Sequence, residues 1–281
     1  VNPTYALYHW LRANANQPGF NDDRLRQAFQ LVGRSLNRPG PRGMAAPWEE
    51  ALATGESPDA SLRSFQARVQ ATGEDMVTAM RIAERIFLEE YWPERKGRID
   101  RALDGIRLTL APAFPAMAKE HADLLDLDWP PTIDTHLVAD LAGHQGAHSH
   151  PLTIEVGHHS GLMLFETILH EATHIADVNG RMRGHVCLGD RLQAYLAEQG
   201  LSPTQRFNVW HAVIFASSAA CTRHHISLDH EDYATSRNLY TWFGVPDAAD
   251  IWRTHAEKGR DEGRLRQALL DDFRSAGATG R

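Results

Sequence analysis

The sequence predicts a mostly α-helical α+β fold with a small β-sheet, and three observations carry that prediction. Apolar residues recur at helical spacing through nearly all of the first 130 residues. From 132 to 157 the pattern turns to short, alternating segments rich in β-branched residues. Helical spacing then returns from 161 and continues to the end of the chain.

In order, helices are expected near 3 to 15, 22 to 36, 59 to 70, 73 to 91, 94 to 110 and 116 to 126, separated by Pro/Gly-rich breaks such as "NRPGPRG". In "WPERKGRID", Pro93 suits the first turn of a helix, where its missing N–H is not needed. "TIDTHLV" (132 to 138) and "PLTIEVG" (151 to 157) are the expected strands, and the intervening "GHQGAHSH" reads as a loop. Helices follow near 161 to 178, 189 to 199, 203 to 222, 229 to 241, 247 to 257 and 260 to 275. This divides the chain into a helical N-terminal half, 1–130, and a C-terminal half, 131–281, that holds the chemistry, the two packed as one unit.

Composition narrows the function. A 281-residue chain with 42% hydrophobic residues can bury a substantial core. Net charge is −7 and the Lys and Arg residues are scattered, so no nucleic-acid partner is expected. No apolar run approaches the roughly 18 to 20 residues of a membrane span. The start, "VNPTYALYHW", does not read as a targeting signal. Because it begins at Val1, a leader removed earlier would make the protein exported and its absence cytoplasmic; localisation and oligomeric state stay open. Cys187 and Cys221 lack C-x-x-C spacing and read as two buried small residues or as one disulfide.

Sixteen histidines are unusual, and they crowd around "TILHEATHIAD", residues 167 to 177. His170 and His174 are four apart, so on a helix their rings lie one turn above each other, about 40° apart around the axis. Glu171, one residue on, can reach a water held at the same point. This H-E-x-x-H arrangement suits zinc: neutral imidazoles hold the ion while leaving it a Lewis acid, and the glutamate serves as general base on the zinc-bound water. Leu164, Ile168, Ala172 and Ile175 form an apolar stripe beside the histidines, making the helix half core and half site.

With these residues the chain resembles the zincin metallopeptidases over about 151 to 178. The resemblance implies a zincin-like fold whose edge strand, here "PLTIEVG", precedes the H-E-x-x-H helix and pairs with an extended peptide or peptide-like substrate. The metzincin pattern H-E-x-x-H-x-x-G-x-x-H fails, since Asp177 and Gly180 stand at its later positions.

A third ligand must come from elsewhere. Asp177 returns to the same helix face and is expected to orient His174 or another ligand from outside the ligand set. His185 lies in a reachable loop, and Glu198 has the downstream spacing that glutamate zincins use. His211 ranks first. Its helix, "SPTQRFNVWHAVIFASSAACTR", opens with a capping box at Ser202 and Gln205 and is apolar nearly all round. A buried histidine there needs a partner, because an unpaired buried polar group costs roughly 1 to 3 kcal/mol.

The pair "HEATH" and "WHAVIFASSA" also resembles a bacterial group of zincin-like proteins with an H-E-A-S-H-type helix and a W-H-A-x-x-F helix. The match holds at Trp210, His211, Ala212 and Phe215, and "ASSAA" departs from it. Zincins place a Tyr or His beside the zinc to stabilise the oxyanion, and Tyr233 in "EDYATSRNLYTW" is the candidate, with Tyr240 behind it. His144, His148, His150, His158 and His159 border the second strand, either lining a cleft or as a solvated rim. "TRHHISLDHEDY" reads as a polar loop. The expected activity is zinc-dependent hydrolysis of peptide or related amide bonds. The alternative is a catalytically inactive zinc-binding homologue acting as a binding or regulatory module.

Overall fold

A computed structural model describes residues 2–15, 20–37, 45–53, 58–69, 73–141 and 146–279. They are mostly helical, with one three-stranded mixed sheet. The chain forms two units, each assembled from two stretches of sequence: Val1–Asp104 with Asp134–Ser160, and Gly105–Ile133 with Gly161–Arg281. The expected halves, 1–130 and 131–281, fall across this division.

The first unit is built around α1 (Pro3–Asn14), whose residues from Thr4 to Leu11 are all buried. Asn2 caps it by accepting from the backbone N–H groups of Thr4 and Tyr5, and Pro3 occupies the first turn. Around it lie α2 (Asp23–Asn37), α3 (Ala45–Ala53), α4 (Pro58–Val69), α5 (Glu74–Ile86) and α6 (Trp92–Gly105). Trp10, Phe29, Phe65, Met80 and Phe87 fill the core, which Val138 and Leu141 join from the sheet side. No helix was expected over α3.

The sheet comprises β1 (His136–Val138), β2 (Ala147–Ser149) and β3 (Leu152–Glu155), in the order β1-β3-β2. β3 runs parallel to β1 and antiparallel to β2. This corrects the expectation of an edge strand ahead of the H-E-x-x-H helix: β3 is the central strand, paired on both sides. The reason is local. Residues 147–149, expected as loop, fold back on β3 through a tight turn at His150–Pro151. Leu152, Thr153 and Ile154 are buried on both faces of the sheet, as a central strand requires. Tyr5 ties α1 to β3 through a 2.6 Å hydrogen bond to Thr153 Oγ1.

The second unit contains α7 (Ala111–Leu125), α8 (Gly161–Met182), α9 (Leu188–Glu198), α10 (Pro203–His225), α11 (Tyr233–Ser236), α12 (Leu239–Phe243), α13 (Ala248–Glu257) and α14 (Glu262–Thr279). α10 is its buried axis, and α7, α8, α9, α12 and α13 pack on it. The capping box forms as its residues predict: Ser202 Oγ accepts from Gln205 N, and Gln205 Oε1 accepts from Ser202 N. Instead of stopping at Asn179–Gly180, α8 runs to Met182. The single helix expected over 229 to 241 is two short ones, because Asn238 between them adopts a left-handed conformation.

The breaks expected between 91 and 94 and between 110 and 116 are continuous helix, each preceded by a π-helical turn. One spans Phe87–Tyr91 just before α6, the other Ile106–Leu110 just before α7. In each case a proline, Pro93 or Pro112, is the second residue of the following helix. Proline lacks an N–H and its ring clashes with the carbonyl four residues back. A wider turn moves that carbonyl aside, and Trp92 and Ala111 instead donate five residues back, to Phe87 and Ile106.

Deep in the second unit, His121 on α7 joins α8 and α10. Its Nε2 lies 2.6 Å from Thr173 Oγ1, and Thr173 donates its own hydroxyl to the Leu169 carbonyl. His121 Nε2–H must therefore be the donor, leaving Nδ1 to accept from Ser217 Oγ at 3.0 Å. Burial pushes the His121 pKa down to about 3. Among the described residues, no helix is long and apolar enough to cross a membrane. Cys187 and Cys221 are both buried free thiols.

Candidate metal centre

α8 carries His170 and His174 one turn apart, and α10 brings His211 against them. The three Nε2 atoms form a compact triangle: 2.9 Å from His170 to His211, 3.3 Å from His170 to His174 and 3.4 Å from His174 to His211. Nitrogens 2.0 to 2.1 Å from a tetrahedral zinc lie about 3.3 to 3.4 Å apart. Two edges meet that spacing and the third is a little shorter, so the donor set fits zinc. His170 is buried while His174 and His211 are partly exposed, which leaves the cluster open on one side.

Aromatic rings fix the imidazoles. Phe215 stacks on His170 with centroids 3.8 Å apart, and Phe207 and Phe243 lie 5.2 and 5.1 Å from His211. Phe207, His211 and Phe215 are spaced by four on α10 and so share one stripe. This apolar wall lowers the His211 pKa to about 3, with His174 adding to the shift. The ring is therefore neutral at pH 7, the form that can ligate. Burial has the opposite effect on Glu171, raising its carboxyl to about 8.

The remaining sequence candidates lie elsewhere. Glu198 is exposed at the end of α9, and His185 bonds the Asp126 carbonyl at 2.6 Å. Asp177, expected to orient His174 or another ligand, accepts from Arg181 at 2.7 Å and from the Cys187 thiol at 3.3 Å. Burial, with Asp177 beside it, pushes that thiol up to about 12. His144 lies outside the described residues, and His148, His150, His158 and His159 belong to the first unit. His224 and His225 form the last turn of α10, both against Glu120 Oε2, at 2.7 and 2.6 Å.

One pair escaped the sequence reading. Glu166, one turn before His170, is fully buried and accepts from His230 Nε2 at 2.6 Å and from Tyr233 N at 3.1 Å. Burial raises its carboxyl, and His230 opposes that shift. A carboxylate on the apolar face of α8 was the available signal, since it demands a buried partner. The pair seats the start of α11, and Tyr233 there stacks on Phe215, with centroids 5.9 Å apart.

Trp210, next to His211, is set by a glycine. A Cβ on Gly189 of α9 would lie 2.4 Å from the Trp210 indole. Gly189→Ala is therefore expected to displace Trp210, lower stability by about 1 to 3 kcal/mol and weaken zinc binding. Thermal unfolding and zinc titration of the variant check both effects; wild-type values in both would refute the role of this contact.

Compared with protein-family models, curated proteins and solved structures, the chain matches none.

Proposed function

We propose that the chain is a zinc-dependent hydrolase of peptide or related amide bonds, zincin-like in its ligand helix. The observation that carries this reading is the convergence of His170, His174 and His211 Nε2 atoms within 3.4 Å, with Glu171 adjacent. Zinc bound there supplies Lewis acidity at a substrate carbonyl and lowers the pKa of water from 15.7 to about 7.

The chain's own groups do the rest. Glu171 takes a proton from the attacking water and passes it to the leaving amine. Burial alone places its carboxyl near 8; a metal ion held by His170, His174 and His211 would favour the ionised form, the one that acts as a base. Tyr233 is proposed to donate to the developing oxyanion. Its anchoring by Glu166 and its stacking on Phe215 support that role. Pairing of substrate with β3 is not part of the reading, because both edges of that strand are taken.

Glu171→Gln is expected to retain zinc while peptide-library cleavage falls by about 10²- to 10⁴-fold. Wild-type turnover in that variant would refute the mechanism. A zinc-binding module without turnover is the second reading. It is favoured by the stretch after Phe215, where Ala216, Ser217, Ser218 and Ala219 are committed to the core. Stoichiometric zinc without cleavage by the wild type would select it.

A further inference from the structure

The first unit holds a second convergence of ligand groups, far from the H-E-x-x-H motif in sequence. His9 sits in the middle of α1, is 0% exposed, and among the described residues has no hydrogen-bond partner at either ring nitrogen. Its ring lies edge-on to Tyr5 and Tyr8, with centroids 4.5 and 5.1 Å away, so π faces and edges surround it. A buried imidazole with both nitrogens unsatisfied calls for an explanation.

Two groups face it. Glu49 on α3 is 4% exposed, and its Oε2 lies 3.2 Å from His148 Nε2 on β2. One nitrogen of His9, one of His148 and a Glu49 oxygen all lie within 4.8 Å of one another. The other oxygen of Glu49, Oε1, is held by Arg12, which also donates to Tyr8 Oη at 3.1 Å. An outer hydrogen bond of that kind orients a ligating carboxylate and leaves its second oxygen to the metal.

We propose that His9, Glu49 and His148 form a second divalent-metal site of the zinc class, structural in role, which cross-links α1, α3 and β2. Two imidazoles and one carboxylate are a donor set that zinc accepts. The three ligands are 40 and 99 positions apart in sequence, so an ion there closes long loops and holds the sheet against the central helix. A site of this kind provides the acceptor that the His9 lone pair lacks. It stands or falls independently of the His170 cluster.

The test is zinc content per chain, measured on the full-length protein after dialysis against zinc. His148 is partly exposed on a strand, so replacing it spares the core. His148→Ala is expected to lose one zinc relative to wild type, and His148→Cys to regain it, because a thiolate can take the vacated position. Wild-type content in His148→Ala overturns the site, and so does failure of His148→Cys to restore the lost ion. His211→Ala reports on the other cluster separately: unchanged zinc there refutes the catalytic reading and leaves the site in the first unit standing.

Discussion

His211→Ala is expected to lower zinc affinity at the His170–His174–His211 cluster by more than the roughly 10- to 100-fold that follows loss of an outer hydrogen bond. The variant leaves two ligands on one helix and opens a gap between Phe207, Phe215 and Phe243, where the imidazole was held. Glu198→Ala is the matched control. That carboxylate is exposed at the end of α9, so its removal should leave zinc content unchanged. Elemental analysis of the two variants, with competition against a chelator, decides the matter. Zinc lost from Glu198→Ala and kept in His211→Ala would reverse the ligand assignment.

The second large effect is acid unfolding of the zinc-free chain. His121 has its folded pKa lowered from about 6.5 to about 3 by burial. Above pH 6.5 it is neutral both folded and unfolded and contributes no pH dependence. As pH falls from about 6.5 toward 3, the unfolded chain takes the proton and the folded one does not. Stability then drops by up to about 1.4 kcal/mol per pH unit. Glu171 acts oppositely. Its folded pKa is raised to about 8, so the folded state holds the extra proton and gains stability as pH falls from 8 to its unfolded value near 4.5.

The net curve therefore mixes signs between pH 4.5 and 6.5, and the clean measurement is a difference. His121→Phe should unfold with about one proton fewer taken up per chain near pH 5, whatever its absolute stability. Urea unfolding at several pH values gives that slope. An identical slope in wild type and variant would mean that His121 does not titrate as its surroundings imply.

What was legible in the sequence was what local chemistry decides. The start of α10 follows from Ser202, Pro203 and Gln205 alone. His211 stood out because a polar ring in an apolar helix has to be satisfied by something. What could not be read depends on partners distant in sequence. β3 became central because three unpatterned residues, Ala147, His148 and Ser149, paired with it. Glu166 and His230 are 64 residues apart, and neither alone announces a buried pair. The sequence reads as broken between 91 and 94 and between 110 and 116, the stretches that hold Pro93 and Pro112. Sterics require only that one carbonyl move aside, and a π turn achieves that without ending the helix.

The interleaving of the two units sets an order for synthesis. The core of the first unit includes Val138 and Leu141, so it is complete only after α7, which belongs to the second unit, has been synthesised. α7 in turn must wait: the partners of His121 arrive 52 and 96 residues later, with Thr173 and Ser217. A chain ending near residue 130 thus lacks part of each unit: Val138 and Leu141 of the first core, and the partners of His121 in the second. A cut at that point would yield two fragments that each lack part of both units.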